Sequence, residues 1–174
     1  MKSRLYRNCS ALLMFFYLFS PMLLTFANES EPVEKNVLKL SWLDDQGNVV
    51  GRGFSLADIE NLPQTSITLE LPESVGIAGE HVWQGTPLSS LVALSGRKTD
   101  TLKIAALNGY SVSVPAKDLD RYNPTLVYRR DGMLISVREK GPFLLIYPFH
   151  KFPELNQQIY LNRLVWQINE ITLQ

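Results

Sequence analysis

The 174 residues carry 17 Lys+Arg against 17 Asp+Glu, are 45% hydrophobic and include a single cysteine. A chain of this length makes one domain, and its even charge gives no basic face for nucleic acid. One cysteine excludes an internal disulfide framework and a multi-thiolate metal site.

Residues 1–27 read as a signal peptide: Lys2, Arg4 and Arg7 form a basic start, residues 11–26 an apolar stretch broken by Ser20-Pro21, and Thr25-Phe26-Ala27 supplies small residues at a cleavage site. The other reading is an uncleaved anchor, since about 17 apolar residues approach the minimum for a span. Pro21 and the small residues favour cleavage. Arg4 and Arg7 are separated by Leu5-Tyr6, which matches the general secretory route and not the twin-arginine route, so the expected location is the periplasm. Membrane contact is expected only through this segment. Cys9 precedes the apolar stretch, so no lipoprotein site follows it. Cleavage removes three basic and no acidic residues, leaving a net charge of −3 and no cysteine. Residues 28–36 are polar and acidic, a flexible leader, and residues 37–174 form the domain.

Residues 37–42 alternate, Asp44–Asn48 forms a turn, and Val49-Val50 completes a small hairpin that can lie off the main sheet. Ser55 and Asp58 predict a capping box for a short helix whose apolar face is Leu56, Ile59 and Leu62, ended by Pro63. Residues 65–71 alternate as a half-buried strand. Thr86 as N-cap and Pro87 at the first position predict a second helix, with Leu88, Leu91, Val92 and Leu94 inward and Gly96 at its end. Asn108-Gly109 predicts a two-residue hairpin turn between the runs 104–107 and 110–114, closed by Pro115. Residues 116–121 make at most one helical turn. Asp131-Gly132 predicts another hairpin between 125–130 and 133–137. The apolar run 143–147 predicts a strand buried on both faces. Residues 151–161 fit a short helix or a loop, and 165–173 a last strand with a bulge. Two hairpins and one buried strand thus predict the core of an antiparallel or mixed sheet.

The order Trp83-x-Gly85-x-Pro87-Leu88, then Leu107-Asn108-Gly109-Tyr110-x-Val112-x-Val114-Pro115, then Asp131-Gly132, then Gly141-Pro142 leading to Tyr147-Pro148, resembles the oxidoreductase molybdopterin-binding domain of sulfite oxidase-like proteins over roughly residues 54–173. The resemblance implies an α+β fold, a mixed and mostly antiparallel β-sheet structure with short helices. It also implies a cofactor cleft near Trp83, Gly85, Asn108, Tyr110, Tyr147, His150, Arg163 and Trp166, between residues 83–86 and the loop after Pro148. Aromatics at such spacings also suit a core.

The chemistry that the resemblance implies is mostly missing. Catalytic members hold molybdenum with a cysteine on the segment that corresponds to residues 68–76, where Glu70 and Glu73 are poor substitutes for a soft thiolate. The basic residue after the Gly-x-Pro segment is replaced by Leu144, and the one before the last strand by Val165, with Arg163 nearby. A secretory signal exports an unfolded chain, which cannot carry the cofactor across. The expectation is therefore no molybdopterin, no catalytic residue and no metal ligand, His81 and His150 being too far apart in sequence for a recognisable metal spacing. The function expected is a binding or sensory accessory module for a small ligand or a periplasmic protein; the alternative is a molybdopterin-dependent or other redox oxidoreductase. Arg129, Arg130, Arg138 and Lys140 flank the Asp131-Gly132 turn, as an anion site or, preferentially, as a solvated hairpin whose charges blunt an edge.

Overall fold

The computed structural model describes residues 35–174; the predicted signal segment and the leader up to residue 34 lie outside the described residues. In chain order these residues form β1 (Leu38–Leu43), β2 (Val49–Phe54), α1 (Leu56–Glu60), β3 (Thr65–Glu70), β4 (Glu80–Pro87), α2 (Leu88–Ala93), β5 (Thr101–Ala106), β6 (Ser111–Pro115), α3 (Lys117–Tyr122), β7 (Thr125–Arg130), β8 (Met133–Leu134), β9 (Leu144–Ile146), α4 (Gln158–Leu161) and β10 (Ile168–Leu173). Short 3₁₀ turns lie at Glu73–Val75, Val137–Glu139 and Pro153–Leu155.

The strands make two sheets. The first has the order β2-β1-β10-β5-β6, and the second β3-β4-β7, with β8 and β9 both on the far side of β7. Pairing is antiparallel except between β1 and β10, which run parallel. The predicted hairpins therefore do not share a sheet: β5–β6 belongs to the first, β7–β8 and the buried strand β9 to the second. The β1–β2 hairpin is not off the main structure, because β1 pairs with the central strand β10. One core holds residues of both sheets, including Leu40, Ile104 and Ile171 from the first and Trp83, Leu126 and Leu145 from the second.

Local chemistry sets the turns. At β7–β8, Asp131 (φ 51) and Gly132 (φ 79) both take the left-handed region, as a two-residue type I′ turn requires. The Asp131 carboxylate accepts from the Val82 backbone N–H at 2.9 Å and lies 2.7 Å from His81 Nδ1, so the turn is tied to β4. At β5–β6 the loop is one residue longer than expected. Gly109 N–H donates to Ala106 O at 3.0 Å and Ala106 N–H to Tyr110 O at 2.9 Å, so Leu107, Asn108 and Gly109 form the loop and only Gly109 has positive φ. The capping box forms as predicted: Asp58 N–H donates to Ser55 Oγ, and Ser55 N–H to the Asp58 carboxylate.

β4 is the strand that sequence reading missed. Glu80–Pro87 mixes charge, glycine and proline, yet it is paired on both sides. Gly85 sits at a register shift against β7, where a Cβ would meet Leu126 O at 2.1 Å; only glycine lets the strands close. Thr86 does not cap α2. It is fully buried, and its hydroxyl donates to Pro63 O at 2.9 Å while Pro87 occupies the cap position. Leu94 is exposed, not inward. β10 carries the predicted bulge, between Ile168 and Glu170.

Leu145 is completely buried, with β7 on one side and its N–H donating to Val165 O on the other. Leu145→Ala is expected to lower the unfolding free energy by about 2–5 kcal/mol in a denaturant titration. The bonds from Val82 and His81 hold the Asp131 carboxyl below its ordinary range. Its contribution to stability is therefore present above about pH 4 and lost as the pH falls through the lower folded value; a carboxyl NMR titration should place the Asp131 midpoint below that of an unfolded peptide.

Candidate functional site

The Asn108 turn, α4 and the approach to β10 enclose a cavity of about 300 Å³. The 3₁₀ turn contributes Ser74 and Val75, the β5–β6 loop Asn108 and Tyr110, α4 and its end Gln158, Leu161 and Asn162, and the following segment Leu164, Val165 and Trp166. The loop is held in shape by its own amide: Asn108 Oδ1 accepts from Tyr110 N–H at 3.0 Å. Tyr110 then reaches across, its hydroxyl donating to Asn162 O at 3.1 Å, and Gln158 Nε2 donates to Asn162 Oδ1 at 2.7 Å. The ammonium of Lys140 lies 4.4 Å above the Trp166 ring. Hydroxyl, amide and indole groups alternate with apolar side chains along this wall, and among the described residues no charged side chain lines it.

Of the eight residues expected in one cleft, three meet here: Asn108, Tyr110 and Trp166. The others are elsewhere. Trp83 is fully buried and donates its indole N–H to Leu69 O at 3.2 Å, and Gly85 is a packing residue of β4. Trp83, Gly85 and Thr86 are buried in β4, which is paired with β3 on one side and β7 on the other. Tyr147 is buried, and its hydroxyl donates to Asp118 Oδ2 at 2.9 Å. Arg163 donates to the same oxygen at 2.8 Å and stacks over Tyr160; it does not line the cavity. Burial, reinforced by the Asp118 carboxylate, pushes the Tyr147 phenol well up. His150 is exposed on a separate cavity beside β3.

The cationic set also disperses. Arg129 pairs with Glu60 at 2.7 Å, Arg130 approaches Glu139 at 3.5 Å, Lys140 covers Trp166, and Arg138 is exposed with no ion pair among the described residues. Strand alternation separates Arg129 from Arg130, so no single anion can touch all four.

Sequence reading missed Ser74, Gln158 and Asn162. The segment 68–76, on which the resemblance places a metal-binding cysteine, does deliver Ser74 and Val75 to the cavity wall. The wall does not fit a molybdenum–pterin group. The cysteine thiolate that the resemblance assigns to the metal, a ligand suited to it, has no counterpart on this wall, and Cys9, the chain's single cysteine, is in the predicted signal segment. Among the described residues neither Arg nor Lys lines the cavity to offset a phosphate, whose burial without a counter-charge is costly. Among the described residues no group of three His, Cys, Asp or Glu is placed to hold a metal ion.

No protein-family model matches the sequence, and no curated protein matches it. Among solved structures, the chain is similar to the sulfane dehydrogenase SoxCD from Paracoccus pantotrophus, at 17% identity and a TM-score of 0.57, over 82% of this chain and 39% of that one. This chain therefore spans well under half the length of that protein. The likeness concerns the fold, which is sulfite oxidase-like: two mostly antiparallel sheets with short helices.

Asp118 is 1% exposed and its carboxylate is matched by Arg163 and Tyr147. Arg163→Ala should destabilise the protein by about 3–5 kcal/mol, because it leaves a buried carboxylate without its counter-charge. The double variant Arg163→Met, Asp118→Leu should recover much of that loss in the same thermal or denaturant measurement.

Proposed function

We propose that this chain is an exported ligand-binding or sensory accessory module built on a sulfite oxidase-like fold, working without molybdopterin. The observation that carries the reading is the chemistry of the cavity wall at the Asn108 turn. Its donors and acceptors are Ser74, Asn108, Tyr110, Gln158 and Asn162, with Trp166 as an aromatic face and neither thiol nor cation among them. Such a wall suits a small uncharged molecule that stacks on an indole and exchanges hydrogen bonds with amides. A fold of this type does not by itself carry an activity. The chemistry of the wall, and not the architecture, therefore supports a binding module over a redox enzyme. Export is supported by the basic, apolar and small-residue zones of residues 1–27.

The test is to express the chain in a host that makes the cofactor, with its own leader and with a twin-arginine leader, and to measure bound molybdenum and pterin. Neither preparation should contain more than traces. Native mass spectrometry of the same material should reveal an uncharged small molecule that Trp166→Ala and Tyr110→Ala no longer retain. Stoichiometric molybdenum and pterin would overturn this reading in favour of the redox oxidoreductase.

A further inference from the structure

A second cavity, of about 510 Å³, lies between β3, the α3–β7 junction and the loop after Pro148. Its lining is chemically one-sided. Arg121, His150 and Lys151 stand at it, and among the described residues no carboxylate lines it. Arg121 is matched outside the cavity by Glu154 at 2.9 Å, whereas Lys151 has no ion pair among the described residues.

The second observation is the state of the hydroxyl groups. Thr125, at the start of β7, is 1% exposed, and its Oγ1 has no hydrogen-bond partner among the described residues. A buried hydroxyl left unpaired costs about 1–3 kcal/mol, and Thr125 lines this cavity. Ser66 and Thr68 of β3 stand on the same cavity with exposed side chains. Phe152 and Tyr122 add aromatic surface, packed edge to face at 5.1 Å. Cations, hydroxyl donors and the lack of any acid are what a phosphoryl oxyanion recognises. The volume falls in the range of small-molecule sites and exceeds what a bare phosphate fills, and hydroxyls beside aromatic rings suit a polyol or sugar body.

We propose that the cavity between β3, the α3–β7 junction and residues 148–152 binds a soluble phosphate monoester of a sugar or polyol, with Lys151, Arg121 and His150 at the phosphoryl group and the Thr125 hydroxyl donating to the ligand. This site is separate from the cavity at the Asn108 turn and does not depend on the function assigned there.

The purified protein should be titrated calorimetrically with glucose 6-phosphate, inorganic phosphate and glucose. Glucose 6-phosphate is expected to bind, phosphate to bind more weakly, and glucose not to bind at about 10 mM. Thr125→Val removes the hydroxyl at nearly constant shape. It should leave the unfolding midpoint unchanged or raised, because no bond within the protein is lost, yet weaken glucose 6-phosphate by about tenfold. Lys151→Glu changes an exposed side chain and should abolish binding without affecting folding, so the test stands even if Thr125→Val does not fold. Phosphatidylglycerol vesicles separate the two sources of a phosphoryl group: sedimentation with them that Lys151→Glu prevents, without glucose 6-phosphate binding, would overturn the soluble ligand in favour of a headgroup. No binding of either phosphate probe at about 10 mM, or equal binding by wild type and Lys151→Glu, would overturn the site itself.

Discussion

A single buried carboxylate organises the part of the molecule where function is sought. A carboxylate in the interior needs partners, and among the described residues Asp118 has two, Arg163 and Tyr147, on the same oxygen. Those partners come from different places: Tyr147 follows β9 of the second sheet, and Arg163 lies between α4 and β10 of the first. Asp118 itself is on α3, which leads from the first sheet to the second. Fixing Arg163 also fixes its neighbours Asn162 and Leu164, and both line the cavity at the Asn108 turn. The shape of that wall thus depends on an interaction that never touches its contents.

The architecture and the chemistry of this protein point in different directions, and the difference is confined to a few positions. The sulfite oxidase-like sheets need Gly85 for close strand contact and Trp83 for the core, and both are met. The wall is less constrained, because its residues sit on a loop, a 3₁₀ turn and a four-residue helix. Ser74 can stand there without disturbing any strand, and Leu144 and Val165 pack into the core.

What the sequence disclosed follows from how local each signal is. Asp131-Gly132 and the Ser55–Asp58 capping box were legible because their geometry is decided within four residues. The run 143–147 was legible because burial on every side leaves no polar position. β4 was not legible: its polar and special residues obscure any alternation, and its place in the sheet is fixed by β3 and β7, remote in sequence. Trp83 and Tyr147 were expected in a cleft because the resemblance places one near their segments, and only the three-dimensional partner, Leu69 O or Asp118, shows each to be a buried residue tied within the protein. Thr125 gave no signal at all, because an unpaired hydroxyl is a property of its surroundings.

The parallel pairing of β1 with β10 has a consequence for the order of events in biogenesis. β10 lies between β1 and β5, so the middle position of the first sheet is filled by the strand that the ribosome makes after all the others in it. Until it emerges, β1–β2 and β5–β6 are two separate hairpins with an unpaired edge each, β1 and β5, and isolated two-stranded units are marginal in water. The sheet therefore closes late, by insertion and not by growth from one end.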